Sequence, residues 1–223
     1  MPVDGGAPLL QWFGDKPQLM MFDLDGTLVD SVADVAAAVD QMRRQLDLAP
    51  LGVDRVRMLV GRGAEVLLDR VMSDAAGLRA EAGRLFAEAY AAHVHVHSTL
   101  YPDVMTALEL FSGWCPLVCI TNKPMRFTLP LIDSIGLAKK FSLILAGDSF
   151  EEKKPHPRAL EHAMDYFEVP PEKSLMIGDS RNDVLAARAA GVRGVVFRWG
   201  YNHGEPLEEC SPDWIVNSIT ELL

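Results

Sequence analysis

Cysteine is scarce in this sequence, which has three, Cys115, Cys119 and Cys210, among 223 residues. An odd and sparse set of thiols does not suit a secreted domain that is held together by disulfides, and it fits a reducing cytosol. Cys115 and Cys119 flank an apolar segment with the character of a strand, so we interpret them as core residues and not as a redox pair. The cysteine content therefore predicts a cytoplasmic protein.

Long apolar runs are lacking as well. No segment approaches the roughly 18 consecutive apolar residues that suggest a membrane-spanning helix. Residues 1–18 contain Pro2, Pro8, Pro17, Asp4 and Asp15 without the basic start and apolar centre of a signal peptide. We predict that residues 1–18 form a loose N-terminal extension and that the protein has no membrane partner.

Positive charge is in short supply, with 21 lysine and arginine side chains against 31 aspartate and glutamate and a net charge of −10. This balance disfavours nonspecific binding to nucleic acid or to anionic lipid. A phosphorylated substrate would then need local positive charge or a metal ion. The apolar fraction of 49% suffices for one large α/β domain or for a core domain with a modest insertion. Nothing in the sequence favours a monomer over a homodimer.

Two carboxylates, Asp23 and Asp25, follow the unbroken apolar run at residues 19–22. Such a run is typical of a strand buried on both faces of a parallel sheet, and Gly26 permits a sharp exit from it. Ligands of open α/β sheets bind beyond the carboxyl ends of the strands, and buried charges seldom persist without a metal or a partner. A calcium loop would need glycine where Leu28 stands. The pair therefore predicts a functional site.

Polar residues follow three further apolar runs, at 116–120, 142–146 and 175–177. The turn at 153–157 contains two prolines that hold it extended, which could aim one lysine inward, while we expect Lys153 to be solvated. In a parallel sheet all these strand ends lie on one edge, so residues far apart in the sequence converge there. The polar residues at the ends of these runs are Thr121, Lys154, Asp179 and Asp183.

Residues 31–98 have helical periodicity, with helices predicted near 53–60, 64–72 and 78–95. The Gly61-Arg62-Gly63 break either brings Arg62 over the site to meet an anionic group or is a plain corner between helices. His93 and His97 are spaced to share a helix face as metal ligands, but with His95 they more simply form a solvated helix end. We also expect Asp103 to cap a helix at 104–111.

This order of motifs resembles the haloacid dehalogenase superfamily of phosphohydrolases, whose four motifs match Asp23-Leu24-Asp25-Gly26-Thr27, Thr121, Lys154 and the segment 178–183. The resemblance implies an α/β fold with a Rossmann-like parallel sheet flanked by helices and a small inserted all-helical cap. The catalytic core would comprise residues 1–30 and 99–223, and the cap residues 31–98. Where the family commonly has Tyr-Pro-Gly-Val, this chain has Asp103 for the glycine, which we expect to alter a local turn.

The resemblance also implies a role for each site residue. Asp23 would be the nucleophile that forms an aspartyl-phosphate, and Asp25 would protonate the leaving alcohol and then activate water. Thr121 would bind the phosphoryl oxygens, and Lys154 would neutralise charge on Asp23 and the phosphate. Gly26, Thr27, Asn122 and Arg62 are the predicted substrate-binding residues, Asp23, Asp25 through its backbone carbonyl and Asp179 the predicted metal ligands, and Ser180 and Asp183 the predicted outer partners.

A magnesium ion is expected on electrostatic grounds. Two unit charges about 4 Å apart interact by roughly 4 kcal/mol at an effective dielectric constant near 20, so Asp23 and Asp179 would strongly repel a dianionic phosphate. One lysine cannot offset that repulsion. Hard oxygen ligands suit Mg²⁺, which keeps some of its waters and also binds substrate oxygens.

Residues 121–124, 153–157 and 200–206 resemble the phosphoglycolate phosphatase branch of the superfamily, so 2-phosphoglycolate is the leading candidate substrate among small phosphorylated metabolites. A sugar-phosphate phosphatase or a phosphoglucomutase-like isomerase on the same core are the alternatives. A phospho-accepting receiver module also uses aspartates, threonine, lysine and Mg²⁺, but it needs no helical insertion. A metal-free dehalogenase is disfavoured because this chain retains Asp25.

Overall fold

Six parallel strands form the central sheet of the computed structural model, which describes residues 8–223. The strands of this sheet are β1 (Leu19–Phe22), β4 (Leu117–Ile120), β5 (Leu143–Leu145), β6 (Ser174–Gly178), β7 (Arg193–Phe197) and β8 (Trp214–Val216), and two short strands, β2 (Val29–Asp30) and β3 (Thr99–Leu100), lie outside it. The sheet order is β5-β4-β1-β6-β7-β8, and β1, β4 and β6 are buried at every position. The site-bearing strand β1 therefore lies at the centre, between β4 and β6.

Helices cover both faces of this sheet, and the predicted α/β class is confirmed. One face is packed by residues such as Leu108 and Ile132, and the other by residues such as Leu160 and Ala187. The helices are α1 (Pro8–Phe13), α2 (Val32–Gln45), α3 (Val53–Arg57), α4 (Ala64–Val71), α5 (Arg79–Ala92), α6 (Val104–Ser112), α7 (Met125–Ser134), α8 (Arg158–Phe167) and α9 (Arg181–Ala189). Among the described residues, no helix is long and apolar enough to cross a membrane.

Helices α2 to α5 form an insertion that leaves and re-enters the core through a two-stranded antiparallel ribbon, in which β2 pairs with β3. The insertion has a hydrophobic core of its own, because the apolar faces of its helices meet around buried residues such as Val39, Met42, Val56 and Phe86. The predicted all-helical unit is therefore present. Its position after β2 places it above the carboxyl end of β1, where the two predicted carboxylates lie.

The prediction of a loose extension over residues 1–18 is wrong for residues 8–18, and residues 1–7 lie outside the described part of the chain. Helix α1 packs on the core, with Leu9 and Phe13 buried. The Arg193 guanidinium group donates a hydrogen bond to the Phe13 carbonyl at 3.0 Å and lies over its ring. Pro2, Gly5 and Gly6 are typical of loops and favour an extension, although a short amphipathic run follows them.

Asp103 is not the expected side-chain cap. Within residues 8–223 its carboxylate makes no capping hydrogen bond, and its backbone has φ of 61°, in the left-handed region that favours glycine. The turn before α6 takes this backbone conformation, and the Asp103 side chain does not cap the helix. Aspartate is among the residues that tolerate this conformation at moderate cost.

Candidate active site

The Asp23 carboxylate lies where β1 ends, in contact with a buried lysine. Its backbone N–H donates to the Ile177 carbonyl at 2.9 Å, which keeps the chain in register with β6 just past the strand. The Lys154 ammonium lies 2.9 Å from Asp23 Oδ1. Burial raises the pKa of Asp23 to about 7, with Lys154 lowering it and the Asp183 charge raising it further. The surroundings of Asp23 therefore bring the pKa of its carboxyl group close to neutral pH.

Asp23, Asp179 and Asp183 form a buried acidic cluster whose ligand oxygens all lie within 4.8 Å of one another. Thr27 Oγ1 donates to Asp179 Oδ1 at 2.9 Å, and the Tyr201 N–H donates to Asp179 Oδ2. Burial, with the Asp183 and Asp23 charges, raises the pKa of Asp179 well above its usual value. The carboxylates are thus fixed in place by their neighbours while repelling one another.

Two glycines allow the chain to pass close to Asp179. A Cβ atom at Gly26 would lie 2.3 Å from Asp179 Oδ2, and one at Gly200 would lie 2.1 Å from Asp179 Cβ. Gly26 also has a positive φ of 87°. The backbone therefore forms a tight cradle around the Asp179 carboxylate.

Both carboxylate oxygens of Asp183 are engaged by hydrogen bonds with neighbouring residues. Lys154 Nζ contacts Asp183 Oδ1 at 2.6 Å. Asp183 Oδ2 accepts from the backbone of Asp179 and Ser180 and from Ser180 Oγ at 2.9 Å, which forms a capping box at the start of α9. These contacts fit the predicted outer role of Ser180 and Asp183, which orient Lys154 and the loop that carries Asp179.

Asp25 is bound by a second lysine. Lys123 Nζ lies 3.1 Å from each of the two Asp25 carboxylate oxygens, and Ser31 Oγ donates to Oδ1. Lys123 also contacts the Tyr90 hydroxyl at 2.6 Å. Burial opposes the charge on Lys123, but Asp25 and Tyr90 outweigh it, so the pKa of Lys123 is raised. Two buried ion pairs therefore lie side by side, Lys154 with Asp23 and Lys123 with Asp25.

A pocket of about 50 Å³ opens above these pairs, between the core and the insertion. The core contributes its polar groups, including both carboxylates. The insertion contributes uncharged residues, among them the glycines on either side of Arg62. The pocket is lined by Asp23, Asp25, Val35, Val60, Gly61, Gly63, Ala64, Leu67, Phe86, Tyr90, Thr121, Asn122, Lys123, Pro124 and Phe127.

The structure brings most of the predicted site residues together, but some of them make contacts other than the predicted ones. The Asn122 side chain donates to the Lys154 carbonyl at 2.9 Å and the Gly61 carbonyl at 3.3 Å, so it ties a core loop to the insertion. Thr27 binds Asp179, as described above. Arg62 is exposed and is not among the described residues that line the pocket. His93, His95 and His97 are exposed, as expected of a solvated helix end.

Sequence reasoning missed three residues, Lys123, Tyr90 and Tyr201. The Tyr201 hydroxyl donates to Asp30 and accepts from the Ser31 N–H at 2.9 Å, so it links Asp179 to the entry of the insertion. Lys123 follows Thr121 closely enough to be suspected from its motif. Tyr90 and Tyr201 lie in sequence patterns that are also typical of ordinary core residues, so the sequence does not indicate their contacts in the site.

Comparison with known proteins identifies the class. A model described as haloacid dehalogenase-like hydrolase matches residues 17–191. A phosphoglycolate phosphatase of Pseudomonas aeruginosa is 44% identical over 215 residues, which are 93% of this chain and 79% of that protein. A phosphoglycolate phosphatase of Vibrio parahaemolyticus is 42% identical over 215 residues, which are 92% of this chain and 94% of that protein. The chain therefore belongs to the haloacid dehalogenase-like hydrolase family, and the resemblance inferred from the motifs is confirmed.

The fold comparison agrees. The crystal structure of a predicted phosphoglycolate phosphatase from Haemophilus somnus superimposes with a TM-score of 0.88 at 33% identity, covering 92% of this chain and 95% of that one. A second, a putative phosphoglycolate phosphatase from Lactobacillus delbrueckii, gives a TM-score of 0.82 at 23% identity and supports the fold alone.

The raised pKa of Asp23 predicts a pH-dependent stability in metal-free protein. The unfolded carboxyl group loses its proton near 3.8 and the folded one near 7, so the folded state binds the extra proton between these values. The stability that this proton gives is therefore lost as the pH rises from about 4 to about 7. We expect Asp23→Asn, which cannot ionise, to gain stability over wild type by on the order of 1–4 kcal/mol between pH 4.5 and pH 7.5.

Urea unfolding in the presence of a chelator measures this difference. Asp133→Asn is the matched control, because Asp133 is exposed on α7. A difference between Asp23→Asn and wild type that stays constant with pH would contradict the assignment.

Proposed function

We propose that this protein is a Mg²⁺-dependent phosphomonoester hydrolase that converts 2-phosphoglycolate to glycolate and phosphate through an aspartyl-phosphate. The observation that carries the proposal is the position of Asp23, which faces the pocket with Lys154 at 2.9 Å and lies in a cluster with Asp179 and Asp183. The substrate is supported by the relatives named phosphoglycolate phosphatase at 42–44% identity.

The chemistry follows from the two carboxylates. An Asp23 oxygen attacks the phosphorus, and the bond from phosphorus to the alcohol oxygen breaks. Asp25 gives a proton to that leaving oxygen, and it later takes a proton from the water that attacks the phosphorus of the aspartyl-phosphate and frees Asp23. Lys154 would neutralise negative charge on Asp23 while the phosphate is bound, and the Thr121 hydroxyl at the end of β4 would bind the phosphoryl oxygens.

The residues present fit a hard divalent cation. Lys154 contacts two of the three clustered carboxylates, Asp23 and Asp183, so the cluster has an excess of negative charge, and the backbone at Gly26 packs closely against Asp179. Asp23, Asp179 and the Asp25 backbone carbonyl would hold Mg²⁺, and Asp183 would act from outside because its oxygens already accept four hydrogen bonds. When bound, the ion would offset the charge of the phosphate and polarise it.

Phosphate release from a panel of phosphomonoesters tests the function. The panel contains 2-phosphoglycolate, several sugar phosphates and 4-nitrophenyl phosphate, each with Mg²⁺ and with chelator. We expect strong preference for 2-phosphoglycolate that disappears with chelator. Preference for a sugar phosphate would replace the substrate, an isomerised product would indicate a mutase, and a long-lived phosphoprotein without turnover would indicate a receiver.

We also propose that Arg62 turns inward to meet the substrate carboxylate. Gly61 and Gly63 flank it and line the pocket, so the loop stands at the right place although the side chain is exposed. Arg62→Ala is expected to raise KM for 2-phosphoglycolate about 10-fold or more, the worth of a charge-assisted hydrogen bond, and to leave KM for 4-nitrophenyl phosphate nearly unchanged.

Steady-state kinetics on both substrates measure this effect, with Arg55→Ala as the control because Arg55 is exposed on α3. Equal changes for the two substrates would remove Arg62 from the site.

Residues 31–98 are proposed as the substrate-selecting cap, and residues 1–30 with 99–223 as the catalytic core. The ribbon supports this division, since β2 ends at Asp30 and β3 begins at Thr99. A cytoplasmic location is proposed as well, because Cys115, Cys119 and Cys210 are all free thiols.

A further inference from the structure

A chain of contacts joins the insertion to the Asp25 carboxylate. Tyr90 on α5 contacts Lys123 Nζ through its hydroxyl at 2.6 Å, and Lys123, in the loop after β4, contacts both Asp25 oxygens at 3.1 Å. Tyr90 and Lys123 are 2% and 7% exposed, so water competes little for these contacts. The mechanism given above uses Asp25 but assigns nothing to the other two.

The direction of the Lys123 ammonium group depends on Tyr90. An ammonium group has three donors, and the two Asp25 oxygens and the phenol oxygen provide three acceptors. The ammonium nitrogen also lies 4.7 Å from the centre of the Tyr90 ring, within the range of a cation–π contact. Without the hydroxyl, a buried ammonium would lose one hydrogen bond and its fixed direction toward Asp25.

The Tyr90 ring is held independently of its hydroxyl. It stacks on Phe86 of the same helix at 5.6 Å and meets Phe127 of α7 edge-on at 5.0 Å. Phe127 belongs to the core, so the ring is wedged between insertion and core. Phenylalanine at this position should keep the packing of the ring and remove only the hydrogen bond between the hydroxyl and Lys123.

We propose that Tyr90 is a positioning residue for the Asp25 carboxyl group and acts through Lys123. The proposal rests on the proposed phosphatase function for its kinetic consequence. The ammonium group held by Tyr90 contacts both Asp25 oxygens, so it fixes the direction of the carboxyl group that serves the leaving oxygen. Hydrolysis of an alkyl phosphate, whose alkoxide is a poor leaving group, therefore depends on Tyr90. Hydrolysis of an aryl phosphate with a good leaving group depends on it much less.

The test compares Tyr90→Phe with wild type on 2-phosphoglycolate and on 4-nitrophenyl phosphate. We expect kcat/KM to fall about 10-fold or more for the first substrate and less than about 3-fold for the second, in the range of general acid effects. Tyr166→Phe, which removes a hydroxyl from a residue that is 62% exposed, should change neither value. Equal losses on both substrates would overturn the link to proton transfer.

A second measurement needs no activity. The urea midpoints of Tyr90→Phe, Asp25→Asn and the double variant form a cycle in which both changes act on Lys123. We expect the shift of the double variant to be smaller than the sum of the single shifts, and additive shifts would overturn the coupling. If the wild type releases phosphate from neither substrate, the proposed function fails, and this cycle still decides whether Tyr90 acts on Asp25 through Lys123.

Discussion

Asp23→Asn is expected to lower the rate of phosphate release at least about 1,000-fold, because the carboxamide is far too weak a nucleophile to form the acyl-phosphate bond. The same change removes one of the proposed metal ligands. The fold should persist, since the substitution changes little volume and the backbone N–H of Asp23 still donates to Ile177. Continuous phosphate detection with 2-phosphoglycolate measures the rate, and near-ultraviolet circular dichroism checks the fold.

The control for this experiment is again Asp133→Asn, a change of the same kind at an exposed position. Trapping with acid should yield phosphorylated wild type and unmodified Asp23→Asn. Appreciable phosphate release by Asp23→Asn would defeat the assignment of the nucleophile.

Lys154→Met is expected to be the most destabilising of the substitutions considered, by about 3–5 kcal/mol in metal-free protein near pH 8. The Lys154 side chain is 2% exposed and lies 2.9 Å from Asp23 and 2.6 Å from Asp183, so its loss leaves two buried carboxylates without their cation. We expect phosphate release to fall more than about 100-fold as well, because the charge on the bound phosphate is no longer offset.

Lys153→Met provides a matched control. It also removes an ammonium group, but the Lys153 side chain is only partly buried. Urea unfolding with chelator and phosphate release with Mg²⁺ measure the two effects. Comparable losses in Lys153→Met and Lys154→Met would contradict a specific role for Lys154.

Most of the sheet could be predicted because its central strands are buried on both faces. Continuous apolar runs mark β1, β4 and β6, and the polar residues that end each run mark the functional edge. Helix α1 escaped prediction because its amphipathic run is six residues long and follows glycine and proline. The left-handed conformation of Asp103 could not be predicted, because an aspartate before an apolar helical run is equally typical of a side-chain cap.

The carboxylates proposed as catalytic were predictable for the same reason as the strands, since their position in the fold follows from local sequence. Tyr90 and Lys123 are 33 residues apart, and their contact exists only because α5 packs over the end of β4. A tyrosine on an apolar helix face gives no sign of such a partner. Arg62 illustrates the converse: its loop could be placed from the two glycines, but the direction of its side chain could not.

The core and the insertion contribute different kinds of residue to the pocket wall, and this has a consequence for redesign of the enzyme. The reactive groups come from the core loops, whereas Val35, Leu67 and Phe86 come from the insertion and are apolar. A directed-evolution library that varies only Val35 and Leu67 would reshape the space for the alcohol part of a substrate and keep Phe86, which holds the Tyr90 ring, and the reactive groups intact. The fold thus offers a separable module through which new phosphate esters can be accepted.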